Sequence, residues 1–110
     1  YSQAVSSEKI IYVSGQIPLN PNSMEIVSGN ISDQINQVID NLTATLESAG
    51  SSTDNVLKFT VFLTDLGDFE RVNEIMAERL TEPYPARTLV EVSALPKGAM
   101  IEIDAIATLT

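Results

Sequence analysis

Apolar residues along the chain recur with two periods, one typical of helices and the other of strands. Between residues 31 and 49 they return every three or four positions, which predicts a long amphipathic helix with one buried stripe. A second helix is predicted from about Asp68, as its N-cap, to Leu80. Short apolar or alternating segments bounded by turn residues predict strands over 10–17, 24–27, 56–63, 88–92 and 100–108.

The order of these elements predicts the fold class. The segments 10–17 and 24–27 flank a turn rich in Pro and Asn, so they are expected to form a hairpin. A chain of 110 residues is expected to form a single domain, 1–110. The mixture of strands and helices predicts an α+β fold with one mixed sheet and both helices packed on one face.

The sheet face opposite the helices is predicted to be partly apolar. Its expected members are three apolar and four charged residues, namely Phe62, Leu89, Ile106, Lys58, Glu91, Glu102 and Asp104. Because apolar groups left in water favour association, like subunits are expected to cover this face and to leave polar groups in the crevices between them.

Composition narrows the chemistry more than it narrows the fold. The chain is 44% hydrophobic and 19% charged, which is typical of a globular protein. Six Lys and Arg against fifteen Asp and Glu give a net charge of -9, which argues against nucleic acid as a partner. No apolar run approaches the roughly 20 residues that span a bilayer, so no membrane partner is expected.

The sequence contains neither His nor Cys. Their absence excludes a Ser-His triad, a thiolate nucleophile and a zinc site built from imidazole or thiolate ligands. An enzyme with this sequence would work with Arg, Glu, Asp, Tyr, Ser, Thr, Lys and the backbone.

Two charged residues are the candidates for chemistry. Arg87 follows the stiff segment Tyr84-Pro85-Ala86 at the entry of a strand, and its planar guanidinium suits bidentate recognition of a carboxylate. Glu102 shares one face of the last predicted strand with Asp104, a pairing that suits acid–base work. Taken alone, each also fits an ordinary role, a surface arginine and a solvent-facing strand residue. Likewise, Ser14 fits a β-bulge and Asn73 fits a polar boundary position on a helix.

Five segments, in this order, resemble the Rid family, also called YjgF, of imine and enamine deaminases. The resemblance is carried by Tyr1-Ser2-Gln3-Ala4-Val5, Val13-Ser14-Gly15-Gln16-Ile17-Pro18, Val61-Phe62-Leu63-Thr64-Asp65-Leu66, Pro85-Ala86-Arg87, and Leu95-Pro96-Lys97-Gly98 followed by Ile101-Glu102-Ile103. The spacing from Arg87 through Leu95-Pro96 to Glu102 is its most specific part, and the resemblance covers essentially the whole chain.

This resemblance implies a chorismate-mutase-like α+β fold and a homotrimer with sites in the clefts between subunits. It also implies hydrolysis of 2-imino acids such as 2-iminobutanoate and 2-iminopropanoate, which are released by pyridoxal-phosphate enzymes such as threonine dehydratase. The products would be the 2-oxo acid and ammonia, and no cofactor is implied. The implied compartment is the mitochondrial matrix or the cytoplasm. The chain begins at Tyr1 without Met, so a targeting segment upstream would not be visible in it.

The resemblance also implies roles for individual residues. Arg87 matches the arginine that grips the substrate carboxylate, and Glu102 matches the acid that holds and activates the attacking water. The matching pocket residues are Tyr1, Ser14, Asn73, the aromatic Tyr84 and the backbone near Leu89. Where many members have Ser-Cys after the arginine, this chain has Thr88-Leu89, so a thiol-based redox or chaperone role has no residue to act through.

Two other functions compete with deamination. The same clefts could bind 2-oxo acids in a regulatory module without turnover. RNA cleavage has been attributed to some relatives, but the net charge and the lack of His argue against it here.

Overall fold

A computed structural model describes residues 1–109 and shows one five-stranded mixed sheet with two helices. The helices are α1 (Ile31–Ser48) and α2 (Phe69–Arg79), and the strands are β1 (Ala4–Ser7), β2 (Ile10–Gln16), β3 (Val56–Leu63), β4 (Ala86–Glu91) and β5 (Ile101–Thr108). The strand order is β1-β2-β5-β3-β4, with β3 and β4 parallel and the other pairs antiparallel. The predicted α+β fold with a single mixed sheet is therefore confirmed.

Both helices bury their apolar stripes on the same side of the sheet. The stripe of α1 begins one residue after its N-cap, Asn30, whose side chain accepts a hydrogen bond from the backbone of Asp33. The core joins residues of both helices to every second residue of the inner strands and contains Ile35, Val38, Leu42, Leu46, Val72, Ile75, Met76, Ile11, Val13, Phe59, Val61, Ile101 and Ile103. Neither helix in residues 1–109 combines the length and the hydropathy needed to cross a bilayer.

The predicted hairpin over residues 10–27 is wrong. β2 already has a neighbour on each edge, since it pairs with β1 on one side and with β5 on the other. The segment 24–27 therefore has no strand to join, and it makes one isolated bridge between Leu19 and Ile26. Pro18 and Pro21 also disfavour a hairpin, because a proline has no backbone N–H to donate to a neighbouring strand.

Two predicted face assignments are also wrong. In β3, alternation along 56–63 predicts that Leu57 is buried with Phe59, Val61 and Leu63 and that Val56 lies on the other face. A register shift between Val56 and Lys58 instead buries Val56 and leaves Leu57 half exposed. In β4 the parallel register pairs Leu89 with the buried Val61, which places Leu89 on the helix side rather than on the open face. Bulges and pairing registers decide these faces, and a period of two cannot show them.

Glu91 moves to the helix side for the same reason, since it pairs with the buried Leu63. Its carboxylate accepts a hydrogen bond of 2.9 Å from the backbone of Leu66. The open face of the sheet instead carries Val90 and Tyr12, which are 40% and 48% exposed. An apolar face thus remains uncovered by the helices, as predicted, although its members differ.

Candidate functional site

Arg87 lies on β4, which is an edge strand of the sheet. Its register partner is the buried Phe59, so its side chain rises on the helix side, towards α2. There it helps to enclose a cavity of about 270 Å³. The other residues around the cavity are Phe59, Asn73, Met76, Ala77, Leu80, Tyr84 and Pro85. The result is a mostly apolar cavity with one cationic group at its wall.

In the described part of the chain, the guanidinium of Arg87 contacts only uncharged groups. It lies over the ring of Phe69, 5.7 Å from the centroid, and its Nη1 lies 3.8 Å from the sulfur of Met76. The other two arginines are paired with carboxylates, Arg71 with Glu74 at 3.2 Å and Arg79 with Asp40 at 2.5 Å. Within residues 1–109, Arg87 has no carboxylate oxygen within 4.0 Å. It is the arginine whose charge is available to an anion from outside.

Two further sequence candidates line the same cavity. Asn73 projects from α2, one turn before Met76, and supplies an amide. Tyr84 lies in the loop between α2 and β4 and is about half exposed, so its ring forms the outer rim. Leu89 is two residues after Arg87 on β4 and packs against the core, outside the cavity lining.

The remaining candidates line a different and larger groove. Glu102, Ser14 and Tyr1 border a groove of about 830 Å³, together with residues of the loop after β2. Ser14 holds the N-terminal segment there, because its hydroxyl donates to the carbonyl of Ser2 at 2.6 Å and its backbone N–H donates to Gln3 at 2.9 Å. The side chain of Tyr1 is fully exposed at the mouth.

A β-bulge brings the carboxylate of Glu102 against the backbone of β2. The register shifts between Val13 and Gln16, so that Ser14 and Gly15 form the bulge. A Cβ atom on Gly15 would lie 2.5 Å from Oε2 of Glu102, which shows how closely the carboxylate approaches. The glycine is needed here for space, since any side chain would displace the carboxylate.

The environment of Glu102 raises the pKa of its carboxyl through burial and a neighbouring negative charge. Burial raises the pKa of the Glu102 carboxyl above its ordinary value, and the Asp104 carboxylate on the same face raises this pKa further. A carboxyl whose pKa is displaced towards neutrality accepts and returns a proton more readily near physiological pH. No group of three or more potential metal ligands occurs among residues 1–109.

Arg87 and Glu102 lie on opposite faces of the sheet. Arg87 is in register with Phe59 and, through it, with Ala105, both of which are buried on the helix side. Glu102 is in register with Phe62, whose side chain points to the open face. One protomer therefore presents the two groups in separate cavities, and both can contact one small molecule only if different protomers supply them.

The contacts of Phe69 and Met76 with Arg87 are not evident from the sequence. The apolar residues of the second predicted helix recur at helical spacing, and this pattern predicts Phe69 and Met76 as core residues. Met76 is buried as predicted, whereas Phe69 is 42% exposed at the start of α2. Phe69 is the first residue of α2, and a residue at a helix end is less firmly held against the core than one in the middle. This position is the only sequence signal that Phe69 has another contact.

Known relatives match nearly the whole described chain. A family model described as endoribonuclease L-PSP matches residues 1–109. A RutC family protein of Pyrococcus horikoshii is 50% identical over 107 residues, covering 97% of this chain and 85% of its own length. The human 2-iminobutanoate/2-iminopropanoate deaminase is 45% identical over 107 residues, covering 97% of this chain and 78% of the human protein.

The fold is equally similar to solved structures. RidA from the Antarctic bacterium Psychrobacter matches with a TM-score of 0.95 at 47% sequence identity. The match covers 98% of this chain and 87% of the bacterial one.

Proposed function

Because the chain belongs to the Rid/YjgF family, whose family model is described as endoribonuclease L-PSP, we propose that it hydrolyses 2-imino acids to 2-oxo acids and ammonia. Membership of the family confirms the resemblance found in the sequence. Relatives named as 2-iminobutanoate/2-iminopropanoate deaminases include human, rat and mouse proteins that are 44–47% identical to this chain. The proposed substrates are 2-iminobutanoate and 2-iminopropanoate.

The position of Arg87 carries the proposal. A 2-imino acid is a small anion with an apolar side chain. Arg87 offers an unpaired guanidinium at the wall of a small cavity that is otherwise mostly apolar. A carboxylate can take two parallel hydrogen bonds from such a fork, while the alkyl group lies against the cavity wall. Asn73 and Tyr84 are proposed to complete the pocket, with the backbone near Leu89.

Glu102 is the proposed base. Its carboxylate takes a proton from water as the water oxygen bonds to the imine carbon, and the C=N electron pair moves to nitrogen. Glu102 then passes its proton to the nitrogen of the resulting amino alcohol, and the C–N bond breaks to release ammonia as the hydroxyl oxygen forms the C=O bond. The hydroxyl proton is taken up by the Glu102 carboxylate, which returns it to ammonia or to solvent. A protonated imine is already electrophilic, so positioning and one base suffice. Ser14 and Tyr1 are proposed to line the water side.

The complete site is proposed to lie between subunits of a homotrimer. Arg87 and Glu102 occupy opposite faces of the sheet in one protomer, so a neighbouring chain must bring the second group. The open face carries exposed apolar residues, Tyr12 and Val90 among them, that an interface would bury. Sedimentation at micromolar concentration is expected to show a trimer, and a stable monomer would contradict this assembly.

Mixing two inactive variants tests the shared site directly. Arg87→Ala and Glu102→Gln trimers are each expected to be inactive. Co-refolded in equal amounts, they should regain about a quarter of the wild-type rate. A site is intact only when the subunit that supplies the arginine carries Glu102→Gln and the subunit that supplies the glutamate carries Arg87→Ala. If hybrids that are shown to be trimers recover no activity, both groups must act within one subunit and the shared site is refuted.

The activity itself is tested by adding the protein to a threonine dehydratase reaction, which supplies 2-iminobutanoate, and by following the release of 2-oxobutanoate. The wild-type protein should accelerate release, Arg87→Ala should not, and Arg71→Ala is the matched control that should behave as wild type. Binding of 2-oxobutanoate without acceleration would instead support the regulatory binding module. The mitochondrial matrix or the cytoplasm, where such imines arise, is the compartment that deamination implies.

The family description also names a ribonuclease, which the charge of this chain does not favour. The net charge is -9, and two of the six cationic side chains, Arg71 and Arg79, are neutralised by ion pairs. Binding of RNA without regard to its sequence requires clustered positive charge, because it depends on contacts with the phosphates. The charge of this chain therefore does not favour RNA as a substrate.

A further inference from the structure

Helix α2 keeps its acidic residues away from Arg87. Glu70, Glu74 and Glu78 follow one another at intervals of four and are all exposed. The residues of α2 and its C-cap that contact Arg87 or line its cavity are all uncharged, namely Phe69, Asn73, Met76, Ala77 and the C-cap Leu80. In a helix so rich in glutamate, the side turned to the arginine carries no negative charge.

The two direct contacts hold the guanidinium without neutralising it. The face of an aromatic ring attracts a cation through its quadrupole, and a thioether sulfur is a weak acceptor. Neither carries a formal charge, so neither competes with a carboxylate for the guanidinium. A glutamate in either place would form an internal ion pair that an incoming anion must break.

The sulfur of Met76 is fixed more firmly than the ring. Met76 is 5% exposed and belongs to the core, so its side chain cannot swing away. Phe69 is anchored through its backbone at the first residue of α2, directly after the turn Leu66–Asp68. The guanidinium thus contacts both a buried side chain of the core and a ring at the start of the helix.

We propose that Phe69 and Met76 are positioning residues, which hold the Arg87 guanidinium in its orientation and leave its charge free for the carboxylate of the substrate. This inference rests on the proposed function, because it assumes that Arg87 binds the substrate anion. It adds that the affinity for the substrate depends on two uncharged neighbours of Arg87, which need not touch the substrate themselves.

The decisive substitution is Phe69→Glu, with Phe69→Gln as its uncharged control. A glutamate in the first turn of a helix is favourable to the helix, so the fold should persist. We expect Phe69→Glu to raise KM for 2-iminobutanoate and Kd for 2-oxobutanoate at least about tenfold, because the new carboxylate pairs with Arg87. Added salt should reduce the difference by screening this exposed pair. Phe69→Gln and Phe69→Leu should raise both constants about two- to fivefold, the size of a lost cation–π contact.

Two conservative variants separate positioning from general packing. Phe69→Tyr keeps an aromatic face next to the guanidinium, so its KM should equal that of the wild type. Met76→Leu keeps the volume of the core but removes the sulfur, and should raise KM about twofold with kcat and the melting temperature unchanged. A purely structural role would lower the melting temperature and change kcat and KM together in all variants.

The binding readout separates failure of this inference from failure of the proposed function. Calorimetry with 2-oxobutanoate measures the contribution of Phe69 even when turnover is not followed. If Phe69→Glu binds the 2-oxo acid as tightly as the wild type, the positioning role is refuted while deamination stands. If the wild type neither binds 2-oxobutanoate nor accelerates its release, the proposed function and the inference fall together.

Discussion

Replacing Gly15 by alanine should lower activity strongly and leave the fold intact. Gly15 is not in the left-handed region of backbone space, so an alanine can adopt its conformation. The new methyl group, however, would lie 2.5 Å from Oε2 and 2.8 Å from Cδ of Glu102. An ordinary contact begins at about 3.4 Å, so the carboxylate has to retreat by about 1 Å.

The two consequences of this movement differ in size. A misplacement of about 1 Å in a catalytic group can cost on the order of 100-fold in rate, or about 2.7 kcal/mol in the barrier. The atoms that must move belong to the end of a flexible side chain, so the structural cost is small. Alanine also reduces the conformational entropy of the unfolded chain, which contributes about 0.4–1 kcal/mol of stability. We therefore expect a poorly active protein with an unchanged or slightly higher melting temperature.

The assay is a double-mutant cycle with Glu102→Gln, measured as kcat/KM for 2-iminobutanoate. If Gly15 acts only through Glu102, the double variant should be no less active than Glu102→Gln alone. Calorimetric binding of 2-oxobutanoate, which depends on Arg87, should change little in Gly15→Ala. A wild-type rate in Gly15→Ala, or additive losses in the cycle, would refute this account of the bulge.

Three further outcomes are expected. Asp104→Asn removes the negative charge that raises the pKa of Glu102, so the acidic limb of the pH profile of kcat/KM should move to lower pH; a limb that stays in place contradicts this coupling. The pKa of Glu102 is higher in the folded chain than its ordinary 4.5, so the folded chain holds this proton more tightly than the unfolded chain does. The free energy of unfolding therefore falls as the pH rises from 4.5 through the pKa of the folded state. Glu102→Gln should therefore melt at a higher temperature than wild type at pH 7 and at the same temperature below about pH 4, and a lower melting temperature at pH 7 would oppose this reasoning. Asn30→Ala removes the N-cap of α1 and should lower the free energy of unfolding in urea by about 1 kcal/mol, whereas Asn22→Ala, an exposed loop control, should not.

The helices and the two central strands were predictable because their signals are local. The period of apolar residues, with Asp68 as the expected N-cap of the second helix, places α1 and α2 to within a residue or two. Strands β3 and β5 were predicted for the same reason. β1 was not predicted, because Ala4–Ser7 is short and mostly exposed and the turn at Glu8 and Lys9 lacks the usual glycine or asparagine.

The sequence by itself determined the chemistry available to this protein, since the absence of His and Cys and the scarcity of arginine leave few groups that could do it. Only the tertiary structure decided where those groups point. Side chains alternate between the two faces of a strand, so the antiparallel register of β5 and the parallel register of β4 against β3 determine which face each one reaches. For that reason Arg87 and Glu102, both evident in the sequence, lie on opposite sides of the sheet, and the arginine has no carboxylate partner among the residues that the structure describes.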